Sequence, residues 1–157
     1  YVIANDWMTK QLGKIGSKGQ ILLNSAATNG NPFASSDYVR HKQELVDTGL
    51  EIHEYIGKIS YHGKSIAIDD RLAIVGSFNM DMRSTYLDTE LMLVIESKRL
   101  NEEIRDTENV YIEKSKEVKT DGTETEGSLY KKKVLTPEKK RFYAFLKIII
   151  RPFRHLL

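Results

Sequence analysis

Residues Tyr61–Ser97 read YHGKSIAIDDRLAIVGSFNMDMRSTYLDTELMLVIES, and this stretch decides the fold. Two short apolar runs, Ser65–Ile68 and Leu72–Val75, flank the turn-prone triplet Asp69-Asp70-Arg71, which predicts a β-hairpin of buried strands. A third strand is expected in ELMLVIES. Its residues from Leu91 to Ile95 are apolar without a break, the pattern of a sheet interior covered on both faces.

Working outward, residues 6–17 space Trp7, Met8, Leu12 and Ile15 along one helical face, with Gly16 and Gly19 as stop signals, and QILLNS follows as a strand. The segment NSAATNGNPFASS, residues 24–36, is rich in Asn, Ser, Gly and Pro and reads as a loop. Ser36 or Asp37 is the expected cap of a helix carrying Tyr38, Val39, Leu45 and Val46 and ending at Gly49. EIHEYI then alternates as a strand. Beyond Ser97 the pattern predicts a short helix around Arg99–Arg105, a long hairpin or excursion from Asn109 to Lys133 with a mobile tip, and a helix from Pro137 to Pro152. The expected class is therefore α/β: a mixed β-sheet flanked by helices, with a β-hairpin excursion and a C-terminal amphipathic helix. The expected division is 1–108 for the α/β domain, 109–136 for the excursion and 137–157 for the basic helix.

The 157 residues suffice for one domain or for half of a larger enzyme. Without cysteine there is no disulfide framework and no thiolate metal site. No run reaches the ~18 apolar residues of a spanning helix, and YVIANDWMTK lacks the order of a signal peptide. Because position 1 is Tyr, the chain is expected to be an excerpt of a longer one. The net charge of +2 hides an asymmetry: residues 131–157 hold nine Lys or Arg against Glu138 alone, so the remainder is acidic. A cationic tail on an acidic body points to an anionic partner for the tail, with a solvated basic face as the plain alternative.

The chemistry concentrates in the opening stretch. Alternation along a strand puts His62 and Lys64 on one face, a titratable nitrogen beside a fixed positive charge. GSFN returns a hydroxyl and an amide, Ser77 and Asn79, to the same sheet edge. Imidazole, ammonium, hydroxyl and amide together suit a phosphodiester: Lys64 offsets phosphoryl charge, Ser77 and Asn79 donate hydrogen bonds, and His62 serves as nucleophile or proton donor. Glu90 is placed to accept from the other ring nitrogen of His62 and set its tautomer. His41 and His53 have no motif around them and read as structural or solvated.

A lone His near a Lys on a strand is ordinarily a surface feature, but the pattern H-x-K-x4-D-x6-G-S-x-N stands here complete as HGKSIAIDDRLAIVGSFN. It resembles the HKD motif of the phospholipase D superfamily. GSFNMDMRS and DTELMLVIES, with Asp81, Arg83, Ser84 and Glu90, are similar to the bacterial cardiolipin synthase branch. So are NSAATNGNPFASSDYVRHKQELVDTGLEIHEY upstream and TPEKKRFYAFLKIIIRPFRHLL downstream. The resemblance implies the C-terminal half of a two-motif enzyme that transfers a phosphatidyl group through a phosphohistidine. His62 would be the general acid/base, Lys64, Ser77 and Asn79 would hold phosphate oxygens, Glu90 would orient His62, and Asp69 would close the hairpin. It implies no metal and no cofactor.

The leading expectation is a phosphatidyltransferase of cardiolipin-synthase type. Its partners would be phospholipid substrate and a complementary N-terminal half or second copy of the chain. The alternatives are a homodimeric phosphodiesterase acting on nucleic acid and a half that is silent alone. Sparse basic residues outside the tail speak against nucleic acid. In residues 137–157 the apolar Phe142, Tyr143, Phe145, Leu146, Ile148, Ile149, Ile150, Phe153, Leu156 and Leu157 are interleaved with Lys139, Lys140, Arg141, Lys147, Arg151 and Arg154, which suits an anionic bilayer surface, with a terminal helix that packs its apolar side on the domain as the alternative. The expected location is peripheral, at the cytoplasmic face of the cell membrane.

Overall fold

A computed structural model describes residues 2–157. Its elements run α1 (Asp6–Ile15), β1 (Gln20–Asn24), α2 (Pro32–Val46), β2 (Glu51–Tyr55), β3 (Ser65–Ile68), β4 (Leu72–Gly76), α3 (Met82–Tyr86), β5 (Met92–Glu96), α4 (Lys98–Ile112), β6 (Ser115–Val118), β7 (Glu124–Glu126) and α5 (Pro137–Ile149), with 3-10 turns at Gly16–Lys18 and Arg151–Leu156. The mixed α/β architecture is as expected, divided between two sheets. One is four-stranded in the order β1-β2-β6-β7, and the other is the antiparallel β3-β4-β5. β1 lies parallel to β2, with Gln20 opposite Glu51 and Asn24 opposite Tyr55. β6 returns antiparallel to β2, pairing Ile52 with Val118.

The main core forms where α1 and α2 meet the first sheet, from Leu12, Leu23, Tyr38, Leu45, Val46, Leu50, Ile52 and Val118. Helix α4 ties the sheets together. The carboxamide nitrogen of its buried Asn101 donates to the carbonyls of Leu72 (2.6 Å) and Ile68, and its Tyr111 packs against Tyr55 and Tyr61 at centroid distances of 5.2 and 4.7 Å. The N-terminal segment adds a parallel bridge from Val2 to Met80, supported by the Ile3 N–H on the Met80 carbonyl (2.9 Å).

Local chemistry moves several boundaries from their expected places. Helix α2 starts at Pro32 rather than after Ser36 or Asp37, because the Asn31 side chain accepts from the N–H groups of Phe33 and Ala34 (both 3.1 Å) and Pro32 presets the first turn. Ser35, Ser36 and Asp37 are consequently buried inside the helix. Helix α4 is capped by Ser97 and continues to Ile112, beyond the expected Arg105. Residues 109–112, expected at the start of the excursion, are thus the last turn of this helix, and the hairpin that follows extends the first sheet through β6.

The hairpin β3-β4 forms as expected, but neither it nor β5 is covered on both faces. Ala67, Ala73 and Ile95 line up across the sheet on the side where α4 packs, and Ala73 is fully buried. Ile66, Ile74 and Val94 line up on the other side, and Val94 is 65% exposed because nothing among the described residues covers that face.

The tail is a docked helix with a second apolar side. α5 buries Tyr143, Leu146 and, just beyond it, Ile150 in a cluster with Ala26, while Phe142, Phe145, Ile148, Ile149 and Phe153 stay exposed. Arg154, one of the expected surface cations, instead makes a two-point contact to the buried Asp37 carboxylate (2.8 and 3.2 Å) and donates to the Ala4 carbonyl. Among the described residues no helix is long and apolar enough to cross a membrane.

Candidate active site

The site is assembled at the end of the second sheet nearest the first. Residues 61–64 precede β3 and lie outside any strand, so strand alternation is not what pairs His62 with Lys64. The two side chains nevertheless meet: Lys64 Nζ stands 3.0 Å from Nε2 and 3.3 Å from Nδ1 of the exposed His62 ring. Partial burial of the ring, and then the positive charge of Lys64, lower the imidazole pKa below its usual 6.5. His62 is therefore mostly neutral at pH 7, with a lone pair available on one nitrogen.

What holds the chain here is a contact from the other sheet. Asn24, at the end of β1, accepts from the Tyr61 N–H (2.8 Å) and donates to the Tyr61 carbonyl, clamping the backbone one residue before His62. Stacking of Tyr61 on Tyr111 fixes the other side. The sequence signal was slight: an Asn closing an apolar strand, with no spacing to connect it to a residue 37 positions away.

Across the hairpin the Gly76 N–H donates to the Lys64 carbonyl (3.2 Å), so Ser77 arrives next to the His62–Lys64 stretch. A Cβ on Gly76 would sit 2.1 Å from the Leu91 carbonyl oxygen, so only glycine allows β4 and β5 to close there. Ser77 is locked by its N–H on the Leu91 carbonyl (3.0 Å) and by the Leu91 N–H on its hydroxyl oxygen (3.0 Å). The Ser77 hydroxyl in turn donates to the Glu90 carboxylate.

Glu90 thus meets Ser77, and its expected contact with His62 is not formed. The reason is the turn at 87–91, which brings Glu90 back beside the serine. The hydrogen bond from Ser77, followed by one from Ser84 and the charges of Lys64 and Arg83, lowers the Glu90 pKa and keeps it a carboxylate. Asn79 follows on the same edge. Its backbone is fixed by its N–H on the Ser84 hydroxyl (3.3 Å) and by the Asp81 N–H on its carbonyl (2.8 Å), and its carboxamide makes no hydrogen bond among the described residues. Asp81 is the buried N-cap of α3, accepting from the Ser84 N–H at 2.7 Å.

Asp69 does not join this group. It occupies the hairpin corner in the left-handed region (φ 52°), its carbonyl held by Arg105, at the opposite end of β3. The five residues from Lys64 span about 16 Å of extended chain. The structure therefore brings His62, Lys64, Ser77, Asn79 and Glu90 to one edge and leaves Asp69 at the far turn.

Residues 2–109 match the family model described as the cardiolipin synthase, PLD-like domain. The chain belongs to this family. It is 34% identical to cardiolipin synthase C of Escherichia coli K12 over an alignment of 102 positions, which covers 54% of this chain and 22% of that protein. It is 36% identical over 73 positions to cardiolipin synthase A of Buchnera aphidicola subsp. Schizaphis graminum, covering 46% of this chain and 15% of the relative. The chain thus spans about a fifth or less of the length of these curated relatives. A solved phospholipase D family member, Nuc from Salmonella typhimurium, superposes with a TM-score of 0.62 at 18% identity, covering 76% of this chain and 78% of that one, which shows a shared fold.

Proposed function

We propose that this chain is the C-terminal catalytic half of a cardiolipin-synthase-type phosphatidyltransferase that works through a phosphohistidine. The observation that carries the reading is the 3.0 Å approach of Lys64 Nζ to a mostly neutral His62 imidazole at an open edge. In this reading a phosphate group draws Lys64 off the ring, because an ammonium binds an anionic oxygen more strongly than a neutral nitrogen. The freed, neutral ring nitrogen takes the proton of the attacking acceptor alcohol as general base, and the imidazolium so formed returns it to the leaving alkoxide of the next donor lipid as general acid. Asn79 donates to phosphoryl oxygens through its carboxamide. The Ser77 hydroxyl, whose one proton lies on Glu90, joins it by turning that proton from the carboxylate to the phosphate, and Glu90 balances the local positive charge.

One imidazole performs one of the two roles this chemistry requires. The covalent histidine and a second Lys–Asn set come from a complementary half in the same polypeptide or from a second copy. Substrate with two acyl chains is met at the bilayer surface, where the exposed Phe142, Phe145, Ile148 and Phe153 enter the interface beside cations of the tail. The expected location is the cytoplasmic face of the cell membrane. The test compares release of product from phosphatidylglycerol with cleavage of plasmid DNA by the polypeptide that joins this chain to its complementary half. Lipid turnover without DNA cleavage supports the reading. DNA cleavage without lipid turnover replaces it with the nuclease alternative.

A further inference from the structure

The geometry points to a second anion site, away from His62: the cavity between α2 and the end of α5 binds a phosphate group, and its surroundings favour one carried on a lipid. The cavity has a volume of about 210 Å³ and is lined chiefly by Arg40, His41, Lys147, Arg151 and the Asp37–Arg154 pair. By the same measure a single water needs about 10–15 Å³, so there is room for a phosphate with part of its glycerol.

Its charge is one-sided. Arg40, Lys147, Arg151 and Arg154 face a single lining carboxylate, Asp37, and that carboxylate is already engaged by Nε and Nη2 of Arg154. His41 lies between Asp37 (3.7 Å) and Glu44 (3.1 Å), so Glu44 is spent on the imidazole. Arg40 is held in place through its guanidinium on the Lys147 carbonyl (3.1 Å), which leaves its remaining donors for a ligand. Among the described residues no carboxylate lies within ion-pair distance of Arg40, Lys147 or Arg151. Gathering these cations around one hollow costs Coulomb repulsion that an anion relieves, and a phosphate offers the oxygens that guanidinium forks match.

The walls are built rather than incidental. Asp37 is buried within α2, Ile150 is buried at the back, and Arg154 pins the 3-10 turn Arg151–Leu156 against α2 and the Ala4 carbonyl. Next in sequence to the lining Lys147 and Arg154, Ile148 (75% exposed) and Phe153 (56%) leave apolar surface on the same segment for acyl chains. The inference goes beyond transfer at His62 and does not depend on it.

The test uses the 157-residue chain and two charge-matched double variants on the same segment: Lys147→Gln/Arg151→Gln inside the cavity, and Lys140→Gln/Arg141→Gln on exposed positions outside it. Binding is followed by amide chemical shifts with glycerol 3-phosphate and by cosedimentation with vesicles of phosphatidylglycerol and phosphatidylcholine. With glycerol 3-phosphate the expected result is at least a tenfold loss of affinity in the cavity variant and less than a threefold change in the control. With vesicles, where every tail cation near the surface adds attraction, the cavity variant loses at least threefold more than the control, and the thermal midpoints of both stay near that of the parent. Loss in both assays means the phosphate alone is recognised; loss with vesicles alone means the lipid carrier is required. Equal losses in the two variants, or shifts that avoid the residues of the cavity, overturn the site. A His62→Ala chain should bind as the parent does, which keeps this result separate from the fate of the proposed activity.

Discussion

Asn24 holds the backbone of Tyr61 at two points, taking its N–H at 2.8 Å and giving a hydrogen bond to its carbonyl. One side chain of the first sheet thereby sets the path of the segment that presents His62. Asn24→Ala leaves two part-buried backbone groups without their protein partner, which is expected to lower stability by about 1–3 kcal/mol in all, since water reaches them in part. In the proposed mechanism it should also lower kcat more than it raises KM, since His62 loses its aim while the groups proposed to bind phosphate stay. Asn24→Asp keeps the acceptor for the Tyr61 N–H and should recover part of the stability. Denaturant titration and steady-state kinetics of the three proteins check this.

The contact between Ser77 and Glu90 predicts a measurable coupling. With the Ser77 hydroxyl in place the Glu90 carboxyl titrates below its usual value. In Ser77→Ala the largest cause of that depression is gone, and the carboxyl resonance of Glu90 should titrate at higher pH. The sign is fixed: a donor to the carboxylate stabilises the charged form. An unchanged titration in the variant contradicts the contact.

Legibility followed the range of the interactions. The His62, Lys64, Ser77 and Asn79 set was readable because its members lie within 18 residues of one another, around a hairpin whose turn the residues Asp69-Asp70-Arg71 announce. Gly76 shows its reason only in three dimensions, through the Leu91 carbonyl that leaves no space for a Cβ. The pattern brings Glu90 to the right neighbourhood but does not choose Ser77 over His62 as its partner, because a one-dimensional pattern does not say which way the turn at 87–91 sends a side chain. Apolar continuity in Leu91–Ile95 reads as burial on both sides, yet α4 covers one face only. Asn24 and the Asp37–Arg154 pair, 117 positions apart, left no trace in spacing at all.

The tail carries core as well as surface. Leu146 is buried against the Ala26 cluster, so Leu146→Ala should cost about 2–5 kcal/mol. Ile148→Ala, at an exposed position, should leave the unfolding midpoint nearly unchanged while weakening vesicle binding. Chemical denaturation and cosedimentation of both variants distinguish the two sides of the helix.

His53 makes stability pH-dependent. Its ring is buried, its Nε2 lacks a hydrogen-bond partner among the described residues, and burial lowers its pKa from 6.5 against the opposing pull of Glu117 and Glu51. The unfolded chain therefore binds the proton more readily, and stability should fall as pH drops through 6.5, flattening once the folded-state imidazole is itself protonated. Since His62 shifts in the same direction, the comparison is made in a His62→Ala background. There His53→Leu should reduce the slope between pH 7 and 5, read from denaturant midpoints.

The most direct test of the account is the rate of phosphatidyl transfer by the polypeptide carrying this chain and its complementary half, with His62 intact and as His62→Ala. Loss of proton transfer predicts a fall of roughly 10²–10⁴-fold in kcat, with the unfolding midpoint preserved because the ring is exposed and packs on no core residue. A variant that keeps half of the parental rate removes His62 from the chemistry and contradicts the assignment of this edge as the active site.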